Sequence, residues 1–173
     1  MSKPRTPSFG AGQRSRLAKR AATARWARLG RGVLSLAEIR DAVVKALAKR
    51  EAKAAAGDAG VPRPSLFLPP APGERVVKNP RVKSAWLFGS YARGDATARS
   101  DLDIMVIMEE MPWDYLGETA DLTSGIHDAL GGLGDDVYKG IDLILTDEAT
   151  FRDYKDAHPT VQYAVATEGI RLV

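Results

Sequence analysis

Residues 87–106 read LFGSYARGDATARSDLDIMV. An apolar run is halted by Gly89-Ser90, and the next apolar run opens on two aspartates separated by one residue, Asp101 and Asp103. Short apolar runs punctuated by glycine predict strands. Because side chains alternate across a strand, Asp101 and Asp103 project from one face, roughly 7 Å apart. Two unit charges at 4 Å repel by about 4 kcal/mol at an effective dielectric of 20, so the pair is tolerable only when one takes a proton or a cation is supplied. A divalent ion is the simplest solution, and hard Mg²⁺ prefers oxygen ligands, carboxylates and phosphates among them.

Gly89-Ser90 supplies the complementary half of such a site. A glycine that ends a strand lets backbone approach a ligand without a Cβ clash, and the N–H groups of the following turn or helix start favour an anion. Ser90 adds a hydroxyl, and Arg93, three residues on, could approach the same phosphates, although spacing alone does not fix its direction. The stretch therefore reads as a phosphate cradle joined to a carboxylate metal site. It is not a Walker A loop, since neither GxxxxGK[ST] nor GxGxxG occurs in the chain.

Working outward, residues 84–88 and 102–108 predict strands, 114–130 a helix and 141–145 a third strand. Two further helices are expected over 148–157 and 160–167, separated by Pro159, before the short apolar end Ile170-Arg171-Leu172-Val173. Towards the N-terminus, Ser35-Leu36-Ala37-Glu38 has the form of a capping box. The helix it opens carries Leu36, Ile39, Val43, Ala46 and Leu47 at three- and four-residue spacing, which is one apolar face. Residues 57–80 contain six prolines and predict a loop insertion. The fold class expected is α+β with α/β character, a small mixed β-sheet with flanking helices.

The 173 residues carry a net charge of +3, which conceals an asymmetry. Residues 1–32 hold nine Lys or Arg and no acid, with the alanine content of a helix over 14–29, whereas residues 57–173 hold 11 basic and 19 acidic residues. Three readings of this basic arm stay open: a solubilising or disordered tail, a DNA or RNA contact, and a protein contact. Two domains follow, a helical or disordered arm over 1–32 and a catalytic domain over 33–173. The absence of cysteine removes disulfides, thiolate catalysis and Cys-ligated zinc, and two histidines leave little for an imidazole site, so any metal must be held by oxygen. No run of 18 apolar residues and no apolar leader occurs, so the expectation is a cytoplasmic protein with no membrane contact.

Gly89-Ser90, ten residues, then Asp101-Leu102-Asp103 resembles the GSx10DxD signature of the DNA polymerase beta-like nucleotidyltransferases, specifically their minimal single-domain members. The family's third carboxylate, about 40 residues on, is matched by Asp142 within Gly140-Ile141-Asp142-Leu143-Ile144-Leu145, and Glu168-Gly169-Ile170-Arg171-Leu172 resembles its closing turn. The likeness covers 84–173 and the helix from Leu36; residues 1–32 lie outside it, and the insertion at 57–80 departs from the short turn usual there. The resemblance implies transfer of a nucleoside monophosphate, by default AMP from ATP, to a hydroxyl with release of pyrophosphate. Asp101, Asp103 and Asp142 would be both catalytic and metal-binding, holding Mg²⁺, with two ions expected. Gly89 and Ser90 would grip the terminal phosphates with Arg93 as a further contact. The chain stops soon after the core, so the acceptor is expected to be a separate molecule. The resemblance points to the antitoxin half of a toxin–antitoxin module, with a helical HEPN toxin as partner and acceptor. A transferase for a small aminoglycoside-type acceptor and a non-catalytic toxin-neutralising or DNA-binding module remain as alternatives. Arg99, His127, the 131–134 glycine stretch and Trp26, Trp86 and Trp113 are read as loop, structural or packing residues.

Overall fold

A computed structural model of the chain describes residues 33–56, 77, 79–131 and 140–173. The expected arm helix, most of the proline-rich insertion, Trp26 and the glycines at 132 and 134 lie outside the described residues. The described elements are α1 (Leu36–Ala55), β1 (Val82–Phe88), α2 (Gly89–Arg93), β2 (Leu102–Met108), α3 (Tyr115–Ala129), β3 (Ile141–Asp147), α4 (Glu148–Tyr154), α5 (Val161–Glu168) and β4 (Ile170–Arg171). Four strands form one sheet in the order β3-β2-β1-β4, with β2 and β3 parallel and β1 antiparallel to both β2 and β4. Parallel neighbours need a long crossover, and α3 supplies it between β2 and β3. The architecture is the mixed α+β sheet with flanking helices expected from the sequence.

One face of the sheet is apolar and helix-covered. Leu87, Leu102, Ile104, Val106, Met108, Leu143 and Leu145 pack with Ile39, Val43 and Leu47 of α1 and Leu122 and Ile126 of α3. Burying such a side chain fully contributes about 1.5–3 kcal/mol, so this layer dominates the stability of the fold. Gly125 brings α3 close to α1, since a Cβ there would lie 3.2 Å from Ala46 Cβ. Ion pairs join the same helices, Lys53 with Asp121 at 3.1 Å and Lys49 with Asp128 at 3.6 Å. These are exposed and each contributes at most about 1 kcal/mol. Arg50 is different: it pairs with Glu118 away from solvent and also donates to Pro80 O at 2.9 Å, tying both helices to the entry of β1.

Local signals explain the boundaries. The capping box forms as its sequence requires, with Ser35 N–H donating to Glu38 Oε2 at 2.7 Å and Glu38 N–H to Ser35 Oγ at 3.3 Å. β1 starts at Val82 rather than residue 84, because a register shift between Val82 and Ser84 lets the earlier residue pair with Met108. β3 runs two residues beyond the expected 145, since Thr146 and Asp147 pair with Ile107 and Met108, after which Asp147 caps α4 by accepting from Thr150 N–H at 2.8 Å. Thr160 is likewise the cap of α5, accepting from Tyr163 N–H at 3.1 Å, rather than its first residue. Among the described residues no helix is long and apolar enough to cross a membrane.

Candidate active site

The opposite face of the sheet is only partly covered. Trp86, Phe88, Met105, Ile107 and Ile144 meet Phe151 of α4 and Val165 of α5, and the end of the sheet nearest α2 is left to charged residues. There β1 leaves Phe88 for Gly89, whose φ of +65° suits glycine alone among common residues. A Cβ at Gly89 would stand 2.1 Å from Asp103 Oδ2, so the glycine makes room for a neighbouring carboxylate as well as for any ligand. α2 follows directly, without a side-chain cap at Phe88. Fully buried Tyr91 anchors it, and Gly94, with φ of 77°, ends it by donating to Ser90 O at 3.0 Å. Ser90 is half-buried in this turn.

The three aspartates share this face and end. Asp101 stands one residue before β2, after a turn closed by Thr97 N–H donating to Ser100 Oγ at 2.9 Å. Asp103 pairs with Phe88 on one side and with Asp142 on the other. Paired residues on adjacent strands point the same way, so Asp142, 39 residues along the chain, stands beside Asp103. Burial pushes the Asp103 carboxyl above the usual carboxylate range; the Asp142 and Asp101 charges add to this, Arg93 opposes it and Glu168 adds a little more.

The carboxylates do not converge as they stand. Asp103 leans towards Gly89, while Asp101 leans towards Gly140, where a Cβ would be 2.4 Å from Asp101 Oδ1. Among the described residues no group of three or more His, Cys, Asp or Glu gathers closely enough to hold a metal ion. Rotation about staggered side-chain torsions redirects a carboxylate at little cost. The chemistry of the set fits a hard divalent cation: all-oxygen donors, unbalanced negative charge, and one member driven towards protonation by burial and then by its acidic neighbours.

Arg93 is exposed at the end of α2, where its Nη1 donates to Glu168 Oε1 at 3.0 Å and its Nε to Asp95 Oδ2 at 3.4 Å. It stands near enough to Asp103 to be felt there, but its hydrogen bonds go to acids of the protein. Arg99 lies on the exposed 97–100 turn. An open cleft of about 460 Å³ adjoins the aspartates, lined by Asp103, Asp142, Thr119, Thr123, Ile141 and Val161 among others. Glu168, Gly140, Thr119 and Thr123 were not marked as site residues by sequence reasoning. For Gly140 the available signal was a glycine immediately before an acid-bearing strand. The two threonines carried only helical spacing, which a mixed helix face produces equally well.

Known proteins resemble this chain. The family model described as Polymerase beta, Nucleotidyltransferase matches residues 74–173. Two proteins of Methanocaldococcus jannaschii, each named a "Putative protein adenylyltransferase", are 45% identical over 59 residues and 47% identical over 60. These matches cover 34% and 35% of this chain and 59% of each relative, so the chain spans about three fifths of the length of the relatives it matches. A crystal structure titled as a "putative nucleotidyltransferase" from Sulfolobus solfataricus aligns over 82% of this chain and 90% of its own, at 16% identity and a TM-score of 0.31. With more than half of its residues matched by the family model, the chain belongs to the polymerase beta nucleotidyltransferase family.

Proposed function

We propose that this chain transfers AMP from ATP to a hydroxyl side chain of a partner protein, and that it serves as the antitoxin of a toxin–antitoxin module whose helical HEPN toxin is that partner. The observation that carries the transfer is the pairing of Asp103 with Asp142 across adjacent strands, beside Asp101 and against the Gly89 turn. Support for a protein acceptor is the name borne by the Methanocaldococcus relatives, which speaks for those proteins and suggests the acceptor class here.

Asp101 and Asp103, with Asp142, would hold Mg²⁺, which when bound neutralises phosphate charge. The residues of the chain divide the remaining work. The Gly89-Ser90 turn seats the terminal phosphates, because its backbone is free of a Cβ and its first N–H groups have no side-chain cap. Arg93 exchanges Glu168 and Asp95 for a phosphate oxygen. Asp142 is exposed and accepts the acceptor's proton. The acceptor oxygen bonds to the α-phosphorus, the bond from that phosphorus to the bridging oxygen breaks, and pyrophosphate leaves. Positioning and charge compensation supply most of the rate. ATP, Mg²⁺ and the helical protein encoded beside this chain should yield a partner heavier by one AMP. The Asp101→Asn/Asp103→Asn variant should yield none, and labelling that survives in that variant contradicts the proposal.

A further inference from the structure

In-line transfer at phosphorus sets a direction on this site. The nucleophile enters opposite the leaving group. The phosphate turn lies at the end of β1, Asp103 on β2 and Asp142 on β3, so the three stand in strand order across the sheet. Pyrophosphate seated over β1 leaves towards β1, and the acceptor therefore arrives from the side of β3. Among the described residues β3 has no strand on that side.

Among the described residues, nothing guards the outer edge of β3. Exposed edges are commonly blunted by shortness, proline, lysine or a bulge. β4, at the opposite edge, is two residues long. β3 is seven residues, IDLILTD, with none of those devices; its two charges are Asp142 of the site and Asp147, which caps α4. In a parallel ladder the N–H and C=O of one residue point to the same side, and the sides alternate along the strand. Leu102 N–H donates to Gly140 O at 2.9 Å, so Asp142 and Ile144 also turn their backbones to β2. Ile141, Leu143 and Leu145 turn theirs outward. The cleft runs along this edge, with Thr119 and Thr123 of α3 on one side and Val161 of α5 on the other.

We propose that the acceptor polypeptide docks by adding an extended segment to the outer edge of β3, with its hydroxyl residue opposite Asp142. This rests on the adenylyl-transfer reading and adds to it the conformation that the acceptor must present. A residue opposite Asp142 points its side chain to the same face as the aspartates, with Cβ atoms about 4.5–5.5 Å apart. Its two neighbours point to the other face, towards Thr119 and Thr123. A partner segment must then be unfolded locally, or already extended, to be modified.

The test uses the full chain, ATP and Mg²⁺ with five-residue peptides of valine around a central serine, threonine or tyrosine. Each peptide is paired with two counterparts N-methylated on alternate amides in the two possible phases. Only alternate N–H groups of an added strand face its neighbour, so one phase should lose at least about tenfold in labelling and the other should not. Amide exchange on the full chain gives a readout independent of chemistry: the unmethylated peptide should slow exchange at Ile141, Leu143 and Leu145. Labelling with equal tolerance of both phases, or equal loss in both, overturns the docking while leaving transfer intact. Protection of those amides without labelling supports the docking and contradicts the transfer reading. Protection present without peptide, whether it rises with protein concentration through a second copy or stays constant, overturns the proposal, as does absence of both labelling and protection.

Discussion

The two faces of the sheet obey opposite rules. On the face under α1 and α3, every inward position from Leu102 to Met108 is aliphatic or Met and fully or nearly buried. On the other face the same strands carry Met105 and Ile107 only where α4 and α5 reach, and give the remaining end to Asp101, Asp103 and Asp142. The first face lowers the free energy of folding. The charged end of the second raises it, because like charges are gathered where Asp103 is partly desolvated. A strand read residue by residue thus alternates between stability and chemistry, and substitutions on the two faces should fail in different ways.

Asp142→Asn should give the largest effect on the charged face. Transfer should fall by about 10² to 10³-fold, as for loss of a group that acts on the reacting atoms. ATP affinity measured by calorimetry should change little, and urea midpoints should hold. On the apolar face Ile104→Ala should do the reverse, costing about 2–5 kcal/mol in urea unfolding with activity per folded molecule retained.

Gly89→Ala sits between the faces and should sharpen the contrast. The alanine must adopt a φ of +65° and displace the Asp103 carboxylate, so activity should fall by at least about tenfold while stability drops by about 1–2 kcal/mol. Retention of activity would show that the turn relaxes without moving Asp103.

Asp103→Asn should stabilise the metal-free protein. A carboxyl whose folded pKa is raised is held more tightly by its proton in the folded than in the unfolded state. Folding therefore loses stability as pH climbs from the unfolded Asp value through the raised folded one, and the full penalty persists at neutral pH. The variant lacks that loss, so its melting temperature should exceed the parent's at pH 7 and the gap should close as pH falls below the ordinary Asp value, at about pH 3. Added Mg²⁺ should narrow the neutral-pH gap by raising the parent alone. The smallest effect is expected from Lys53→Ala, whose exposed pair with Asp121 should change stability by less than about 1 kcal/mol.

Much of this division was legible before any coordinates. β2 was bounded correctly because its interior is unbroken apolar sequence from Ile104 to Met108, and α1 because both halves of its capping box are local. Asp142 was found through the family resemblance, yet its pairing with Asp103 depends on the register of two strands separated by α3. What stayed hidden was tertiary. Arg93 and Glu168 are 75 residues apart and meet only because α5 packs against α2, so sequence could assign Arg93 a phosphate but not the acid that holds it meanwhile. The leaning of Asp101 onto Gly140 and of Asp103 onto Gly89 depends on neighbours that spacing alone does not place. Thr119 and Thr123 reach the cleft through the placement of α3, which their own helix does not reveal.

The most direct measurement supplies ATP labelled in turn at the α- and γ-phosphorus, with Mg²⁺ and the helical protein encoded beside this chain. The account predicts that α-label enters the acceptor, that γ-label appears only in pyrophosphate, and that Asp101→Asn/Asp103→Asn stops both while leaving the circular dichroism spectrum unchanged. Transfer of γ-label to the acceptor, or α-label persisting in the double variant, would contradict it.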